Sequence, residues 1–491
     1  GFNGYTYKNL DLKGNIKGGN FKAVADMNDP NLTFDLDAEG GFGDKYPKAK
    51  VKLNVDIADL DKLNLHAGPM KLKGNIDADI ETADVDYLNG TINATNINIA
   101  NAKEQFILDT ISIVATSTAE RNSMVVQSQF VKADVNGKYK LSQIATALQN
   151  SIAKYYDTNP SAKKQTTEAQ QVAFTIDVKS DPILMKLVPE LKSLEPINIS
   201  GRYNSVNDTI VLNGRIPKVV YGTNTITNAV IDVNTENDSL VYNVVVDDIQ
   251  SGKLRLPYTR ISGGVNDNVV GYDLLLRDVA DKDQYAISGK LEAKGNTTEI
   301  ILNPDLMLNY QDWNLPVDNK LAFGKDGILA DNFELSNEGS SLKVQSQSST
   351  PNSPIAVDFT DFKIETITNI VQMDSLQVAG KLDGNVLLRD LKNNMVFTSD
   401  LDIQDFSFRK DTLGNINIKV DNQTANTYTA KVAITGQENE VNLDGTYRSD
   451  NSSFDLNLDI DKLNMKSIQG FTMGNLAEST GFLDGQFKIT G

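Results

Sequence analysis

The sequence predicts a mainly β protein, built as a long antiparallel meander with a few short amphipathic helices. Three observations support this prediction: apolar and polar residues alternate along most of the chain, short polar turns separate the alternating runs, and few stretches have helical spacing. Side chains on a strand point alternately to its two faces, so this alternation is typical of strands with one buried and one hydrated face.

The alternation is clearest in four runs, each of which places its apolar residues on one face. They are "AKVKLNVDIADL" (49–60), "SLVYNVVVDDI" (239–249), "YAISGKLEA" (285–293) and "YTAKVAITGQENEVNLDGTY" (428–447). The last run contains a polar turn at Gly436–Asn439, which predicts a hairpin between two strands.

A second hairpin signal is the dipeptide Asn89–Gly90, because Asn-Gly favours the two-residue turns that join antiparallel strands. Just after it, the alternation changes register between Ile92–Ala94 and Ile97–Ile99. A β-bulge near Asn96 would keep both groups of apolar residues on the same face.

Three stretches predict helices. Residues 140–156 place apolar side chains at helical spacing and predict an amphipathic helix of about four turns. Asp181 and Pro182 predict the start of a second helix, which Pro189 would kink or end. A shorter helix is predicted within 361–373.

One order of segments recurs at four places: an alternating strand, an amphipathic or loop segment, and a strand led by a glycine. The glycines are Gly74, Gly201, Gly380 and Gly481. Degenerate repeats of this kind usually build elongated arrays, so we expect residues 1–491 to form one continuous elongated array. Its approximate sub-segments are 1–170, 171–352, 353–452 and 453–491.

Glycine-containing turns of a similar pattern interrupt the alternating strands at four places. They read "LKGNIKGG" (12–19), "LKGNID" (72–77), "GKLDGNV" (380–386) and "GFLDGQF" (481–487). Together with the alternating strands, they resemble the bacterial AsmA-like superfamily, in particular its TamB (translocation and assembly module) branch. The resemblance covers the whole chain, and it suggests an interior or truncated segment without the family's membrane anchor or its barrel-contacting C-terminal region.

The resemblance implies an elongated, curved antiparallel β-sheet folded into a U-shaped groove, called a β-taco. Proteins of this family span the periplasm and are thought to carry phospholipid, and the TamB branch also works beside an Omp85-type outer-membrane barrel. We therefore expect a bridge-like lipid transport and outer-membrane assembly protein of the cell envelope, located in the periplasm and anchored through a segment outside this chain.

An apolar sheet face has to be covered, because large exposed apolar patches drive association. The sheet can pack on a second sheet, close on itself, or fold lengthwise around a ligand. A plain sandwich core predicts the same residue types as a lipid groove, so both remain open. The candidate groove-lining residues are Val51, Leu53, Val55, Ile57, Leu240, Tyr242, Val244, Val246, Ile287, Leu291, Val432, Ile434, Val441, Leu443, Phe454, Leu456, Leu458 and Ile460.

The sequence predicts neither an enzyme nor a cofactor site. The single histidine, His66, lacks the partners that a catalytic triad or a zinc site requires, and the chain has no cysteine. The stretch 35–46 begins like a calcium loop, but Tyr46 stands where a bidentate glutamate is needed.

Charge and hydropathy exclude further classes of protein. The net charge is −18, from 47 basic and 65 acidic residues, which disfavours nucleic acid as a partner. No run of apolar residues is long enough for a transmembrane helix. Two alternatives to lipid transport remain open: a β-rich structural or adhesive envelope protein that binds partners through its polar face, and a carbohydrate-active β-helix enzyme.

Overall fold

The computed structural model describes residues 1–42, 45–157, 167–252, 254–369, 377–391, 396–424, 426–472, 475 and 478–491. The predicted mainly β class is confirmed, because the structure is 67% strand and 7% helix. Its strands form one long antiparallel sheet that is not closed. This is the arrangement that sustained period-2 alternation requires when one face is apolar and the other is hydrated.

The described residues contain 34 strands. They are β1 (Leu10–Lys17), β2 (Asn20–Asp29), β3 (Leu32–Gly41), β4 (Lys48–Asp59), β5 (Met70–Thr82), β6 (Asn89–Asn101), β7 (Gln105–Leu108), β8 (Ile111–Ser117), β9 (Asn122–Gln127), β10 (Val131–Lys138), β11 (Gln171–Val178), β12 (Leu191–Leu194), β13 (Ile197–Asn204), β14 (Thr209–Tyr221), β15 (Asn224–Glu236), β16 (Ser239–Ser251), β17 (Leu254–Asn266), β18 (Val269–Arg277), β19 (Asp283–Lys294), β20 (Thr297–Leu302), β21 (Asp305–Leu308), β22 (Gln311–Asn314), β23 (Lys320–Gly324), β24 (Gly327–Asp331), β25 (Phe333–Asn337), β26 (Ser340–Ser346), β27 (Ile355–Lys363), β28 (Val378–Arg389), β29 (Val396–Phe408), β30 (Asp411–Thr424), β31 (Thr427–Gly436), β32 (Asn439–Arg448), β33 (Ser453–Asn464) and β34 (Phe482–Thr490).

Two of the predicted helices are confirmed. They are α1 (Leu141–Tyr155) and α2 (Pro182–Leu187). Asp181 caps α2, since its Oδ1 accepts a hydrogen bond from the backbone N–H of Ile183 at 2.8 Å, and the helix ends before Pro189.

The helix predicted within 361–373 is wrong at its start. β27 continues to Lys363, and the helix α3 covers only Glu365–Thr368, while residues 370–373 of the predicted stretch lie outside the described residues. Strand pairing prevails over helical spacing because Phe362, which is 2% exposed, pairs with Leu382 of β28 on the apolar face. A 3-10 helix, Met465–Thr472, follows β33.

One hairpin prediction is confirmed and the other is wrong. Gln437 and Glu438 join β31 to β32 with φ values of 51° and 63°, as a two-residue turn requires. Asn89–Gly90, by contrast, lies within β6, where Gly90 pairs with Ile80 of β5. A Cβ on Gly90 would lie 2.2 Å from the carbonyl oxygen of Asp79, so close approach of the two strands accounts for this glycine.

The bulge predicted near Asn96 is confirmed. Asn96 has a φ of 53°, and the pairing of β5 with β6 shifts register between Lys73 and Asn75. Ile97 and Ile99 therefore return to the face that the apolar residues earlier in β6 occupy.

The chain divides into two compact units. The first comprises residues 1–155 and 161–244, and the second comprises residues 156–160 and 245–491. Within each unit most strands pair with the next strand along the chain, and every pairing in the described residues is antiparallel. The single continuous array and its sub-segments stay a prediction.

The sheet of the second unit forks at β19. Residues 289–294 of this strand pair with β20, whereas residues 285–286 pair with β21. One branch continues from β20 to β23 and β24, and the other continues from β21 to β22 and β25. Short strands of four to six residues thus replace the long strands found elsewhere in the unit.

Candidate functional site

An unbroken row of apolar residues crosses thirteen strands of the first unit. Each member is the direct cross-strand partner of the next, so the row follows the sheet for roughly 60 Å at the usual strand spacing of ~4.8 Å. Its members are Gly14, Ala23, Ala38, Val51, Ala78, Ile92, Ile113, Val126, Ala133, Ile176, Ile199, Gly214 and Ile231. All of its valines and isoleucines are half-buried rather than fully enclosed.

A second apolar row runs beside the first. On each strand, its member is two residues away from the member of the first row, always towards the same side of the sheet. It too contains only apolar residues and glycines across the same thirteen strands. Its members are Ile16, Phe21, Gly40, Ala49, Ile80, Gly90, Ala115, Met124, Val135, Phe174, Gly201, Leu212 and Val233.

The opposite face of these strands is polar. The row that flanks the first apolar row on the side away from the second contains eleven polar residues, and its only apolar members are Val24 and Val230. It consists of Lys13, Val24, Asp37, Lys52, Asp77, Asn93, Ser112, Gln127, Lys132, Asp177, Asn198, Arg215 and Val230. Charge and apolar surface are therefore separated strand by strand through the unit.

The second unit repeats this separation over ten strands, from β25 to β34. Its apolar row contains Leu335, Leu342, Phe359, Gly384, Leu401, Ile418, Val432, Leu443, Leu458 and Phe487. Every member of the polar row behind it is charged or an asparagine. That row contains Glu334, Lys343, Asp358, Asn385, Asp400, Lys419, Lys431, Asp444, Asn457 and Lys488.

Oppositely charged side chains pair across the strands of the polar face. The Lys22–Glu39 pair has its closest nitrogen and oxygen 2.8 Å apart, and the Lys50–Asp79 pair 2.9 Å apart. The hydrogen bond from Lys22, together with its charge, lowers the pKa of the Glu39 carboxyl. These groups are well hydrated, so each pair contributes little to stability.

The structure places the predicted lining residues among strands of both units. Val51, Leu53 and Val55 pair with Ala38, Leu36 and Phe34 of β3 on the apolar face. Fifteen of the eighteen predicted residues are half-buried, and none is fully exposed. The three that are buried are Val246, Val441 and Ile460, which are 8%, 6% and 5% exposed.

Two of these three buried residues lie beside the 3-10 helix. Val441 and Ile460 pair directly with each other and belong to a cluster with Leu463, against which Ile468 of that helix packs. Helical segments also cover parts of the apolar face in the first unit. Ile183 of α2 packs on the cluster of Ile97, Ile99, Phe106 and Leu108, and α1 contributes Ala147 to another cluster.

The fork of the second unit holds the largest cluster of buried apolar residues in the part of the chain that the structure describes. We call it the aromatic cluster. Its members are Leu276, Tyr285, Leu306, Leu308, Trp313, Leu315, Phe333, Leu335 and Phe362. Tyr285, Trp313 and Phe362 are 1%, 2% and 2% exposed. The alternation in the sequence does not identify this cluster, although Trp313 and Leu315 flank a polar residue, Asn314.

Two polar atoms are buried in the aromatic cluster without a hydrogen-bond partner among the described residues. They are the phenol oxygen of Tyr285 and the indole nitrogen Nε1 of Trp313. Burial raises the pKa of the Tyr285 phenol, with a smaller contribution from nearby Tyr310. Tyr310 is itself more exposed, and its hydroxyl donates a hydrogen bond to Asp278 at 2.7 Å.

The prediction that the repeated glycine-containing stretches are turns is wrong, because they lie mostly within β1, β5, β28 and β34. Their glycines meet a shift in strand register. In the first, third and fourth repeats, Val55, Phe359 and Ile460 each precede such a shift. Their partners are Gly74, Gly384 and Gly485. The second glycine of "Gly-x-Leu-Asp-Gly" is thus the counterpart of Gly74 in the first repeat. The order of segments in the sequence instead aligns Gly380 and Gly481 with Gly74.

A concavity of about 770 Å³ in the first unit is lined largely by polar-face residues. They include the ion-paired Lys22, Glu39, Lys50 and Asp79. Because this lining is charged and its members neutralise one another, the concavity does not suit an acyl chain.

The residues considered for catalysis and metal binding lie apart from the apolar rows. His66 is exposed, and its Nδ1 lies 3.2 Å from the carbonyl oxygen of Gly68. Asp35, Asp37 and Glu39 of the calcium-like stretch alternate along β3 rather than forming a loop. In the part of the chain that the structure describes, no group of three or more acidic or histidine side chains could hold a metal ion.

Among the described helices, none has the length and apolar character needed to cross a membrane. Comparisons with protein-family models, with curated proteins and with solved structures find no match for this chain.

Proposed function

We propose that this protein is a lipid transport protein of the cell envelope, and that its apolar rows carry the acyl chains of phospholipid. The observation that supports this most is the continuity of the rows, which extend over thirteen strands in one unit and ten in the other without a charged residue. No catalytic residue is required for such a function.

The partial exposure of the rows favours a groove over a closed core. In a packed interior, large aliphatic side chains are usually fully buried. Here Val51, Ile113 and Ile199 in the first unit and Val432 and Leu443 in the second remain half-buried. Each of them offers apolar surface that a ligand can cover, at about 25 cal/mol for every Å² removed from water.

Aliphatic rows suit a mobile ligand better than a fixed one. Contact between hydrocarbon surfaces has no directional preference, and each buried methylene contributes about 0.8 kcal/mol. An acyl chain can therefore slide from one strand to the next while it exchanges equivalent contacts. The charges that would hold a head group in place lie on the opposite face.

The periplasmic location, the role in outer-membrane assembly and an Omp85-type barrel partner belong to the same proposal. They are supported by the resemblance of the repeated glycine-containing stretches and the alternating strands to the AsmA-like superfamily and its TamB branch.

Two adjacent residues of β8 provide a matched test. Ile113 lies in the first apolar row, whereas Val114 lies on the polar face, where it pairs with Thr91. Ile113→Asp places a charge among the acyl chains, and Val114→Asp makes the same chemical change on the hydrated face. We expect native mass spectrometry to detect co-purified phospholipid on the parent protein and on Val114→Asp, and much less on Ile113→Asp.

Transfer of phospholipid between donor and acceptor vesicles should follow the same order. Val432→Asp and Ala433→Asp form a second matched pair in the second unit, where Ala433 pairs with Asn417 and Asn442 on the polar face. Circular dichroism and urea unfolding check that all four variants fold. If Val114→Asp and Ala433→Asp alone lost the protein's function, while Ile113→Asp and Val432→Asp kept it, the result would instead favour an adhesive protein that acts through its polar face.

A further inference from the structure

The aromatic cluster of the second unit contains two buried hydrogen-bond donors that have no acceptor among the described residues. Tyr285 is 1% exposed and Trp313 is 2% exposed, and neither the Tyr285 hydroxyl nor the Trp313 indole N–H has an acceptor among the described residues. Buried polar groups are nearly always hydrogen-bonded, because leaving one unpaired is costly. A pair of such groups in one cluster therefore indicates an acceptor that a ligand supplies.

The cluster is continuous with the apolar row of the same unit. The Trp313 and Phe362 rings have centroids 5.6 Å apart, and the Phe362 and Phe359 rings have centroids 5.9 Å apart. Phe359 is a member of the row, as is Leu335, which also belongs to the cluster. A molecule whose hydrocarbon lies on the row can thus place its other end against the cluster.

The chemistry of the donors selects a neutral acceptor. The phenol and the indole are both uncharged, and the members of the cluster are otherwise leucine and phenylalanine. A phosphate or an ionised carboxylate would lose its hydration there without gaining a cation, which makes its burial unfavourable. A carbonyl oxygen accepts the same hydrogen bonds without that cost.

The short strands of the fork around the cluster can separate locally from the sheet at a low free energy. β21 and β22 are four residues long, and β22 joins β25 through the single residue pair Asn314 and Ser336. Segments with so few ladder hydrogen bonds open at a lower free energy than the long strands around them. Movement of β22 would carry Trp313 with it and admit a ligand to the cluster.

We propose that Tyr285 and Trp313 form a docking point for the ester carbonyl of an acyl lipid whose hydrocarbon lies on the neighbouring apolar row. This inference rests on the proposed lipid-binding function and adds a defined site to it. Tyr285 and Trp313 are binding residues here, and they position the lipid so that its chain enters the row from the cluster.

Trp313 is the single tryptophan of the chain, so its fluorescence reports on the cluster alone. The probes are a diacyl phosphatidylcholine and its diether analogue, which lacks the ester carbonyls, each brominated on its chains. We expect both lipids to quench Trp313, and the ester lipid to bind about tenfold more tightly, since a buried hydrogen bond contributes roughly that factor.

Tyr285→Phe removes one donor and keeps the ring. We expect this variant to lose most of the preference for the ester lipid while its melting temperature rises or stays unchanged, because a buried hydroxyl without a partner is gone. A residue with a merely structural role would not alter the ratio of ester to ether affinity. Tyr310→Phe is the matched control, since Tyr310 already bonds Asp278, and it should keep the parent ratio.

Three further outcomes separate the site from the function. Equal binding of ester and ether lipids by the parent protein would overturn the docking point and leave the groove intact. Quenching by neither lipid, together with phospholipid detected by native mass spectrometry, would place the lipid elsewhere and overturn the docking point only. Absence of any retained lipid in both measurements would overturn the proposed function and the docking point together.

Discussion

The aromatic cluster and the apolar row of the second unit are made from similar residues, yet they are packed very differently. Leu308 in the cluster is 8% exposed and is enclosed by Tyr285 and its neighbours. Leu443 in the row is half-buried, although it has apolar cross-strand partners on both sides, Val432 and Leu458. Apolar composition alone therefore does not decide whether a sheet face becomes a core.

The difference lies in what covers the face. At the fork, two branches of short strands and the residues that follow them surround Trp313, so the cluster is enclosed within its own unit. Along β28 to β33, the described segments that join or follow the long strands are short turns and one 3-10 helix, from which Ile468 packs on the cluster of Val441 and Ile460 and Phe471 stacks on Phe408. The remaining rows keep apolar surface that another molecule can cover.

Truncating a leucine in each region should give the largest contrast. We expect Leu308→Ala to destabilise the protein by about 2–5 kcal/mol, as is usual for a cavity in a packed core. Leu443→Ala should cost only about 1–2 kcal/mol, because the side chain is partly hydrated already and water can fill the space. Urea unfolding followed by tyrosine and tryptophan fluorescence measures both; equal losses would mean that the row is a core.

Chemical accessibility should sharpen the same contrast. The chain contains no cysteine, so single variants Leu308→Cys and Leu443→Cys each carry one reactive thiol. We expect an uncharged maleimide to label Leu443→Cys at least about tenfold faster, because the cluster must open before Leu308→Cys reacts, and each 1.4 kcal/mol of opening is a factor of ten.

Added phospholipid distinguishes an exposed row from an occupied one. If acyl chains lie on the row, lipid should slow the labelling of Leu443→Cys and leave the denatured protein's reactivity unchanged. If phospholipid did not change the labelling rate of Leu443→Cys, the result would contradict a lipid groove, even if Leu443→Cys reacts faster than Leu308→Cys.

A smaller effect is expected where the row passes through glycine. Gly384 has a φ of 123°, and a Cβ there would lie 2.1 Å from the carbonyl oxygen of Asp400. We expect Gly384→Ala to destabilise the protein by about 1–3 kcal/mol through backbone strain. Gly264→Ala in β17 is the control, since its Cβ would meet no atom within 4 Å, and it should be neutral or slightly stabilising. Thermal unfolding followed by circular dichroism compares the two.

Much of the fold could be predicted from the sequence because a strand has a period of two. Alternation in 428–447 alone identifies which side chains share a face, and the structure pairs Val432 with Leu443 and Ile434 with Val441 accordingly. The bulge at Asn96 was predictable for the same reason, since only an extra residue keeps Ile92 and Ile97 on one face.

The fork and the aromatic cluster could not be predicted in this way. β21 and β22 have four residues each, which is too few for an alternating pattern to stand out from chance. The exposure of the apolar side chains could not be predicted either, because it depends on which segment of the chain covers a sheet face and not on the residues of that face. Phe362 shows the consequence: its sequence context predicts a helix, but its partner Leu382 holds it in a strand.

Pairing between consecutive strands also governs how such a chain reaches its native state. Hairpins such as β31–β32, with two residues between the strands, close very short loops, and most other strand pairings join strands that are consecutive in the sequence. Low contact order of this kind favours fast folding, and it allows a nucleus to form at any of many hairpins and grow by adding one strand at a time. The fork departs furthest from this pattern, since β20 has to wait for β23 and β22 for β25, with other strands formed in between. We therefore expect the residues around Trp313 to acquire their final packing after the strands on either side have assembled.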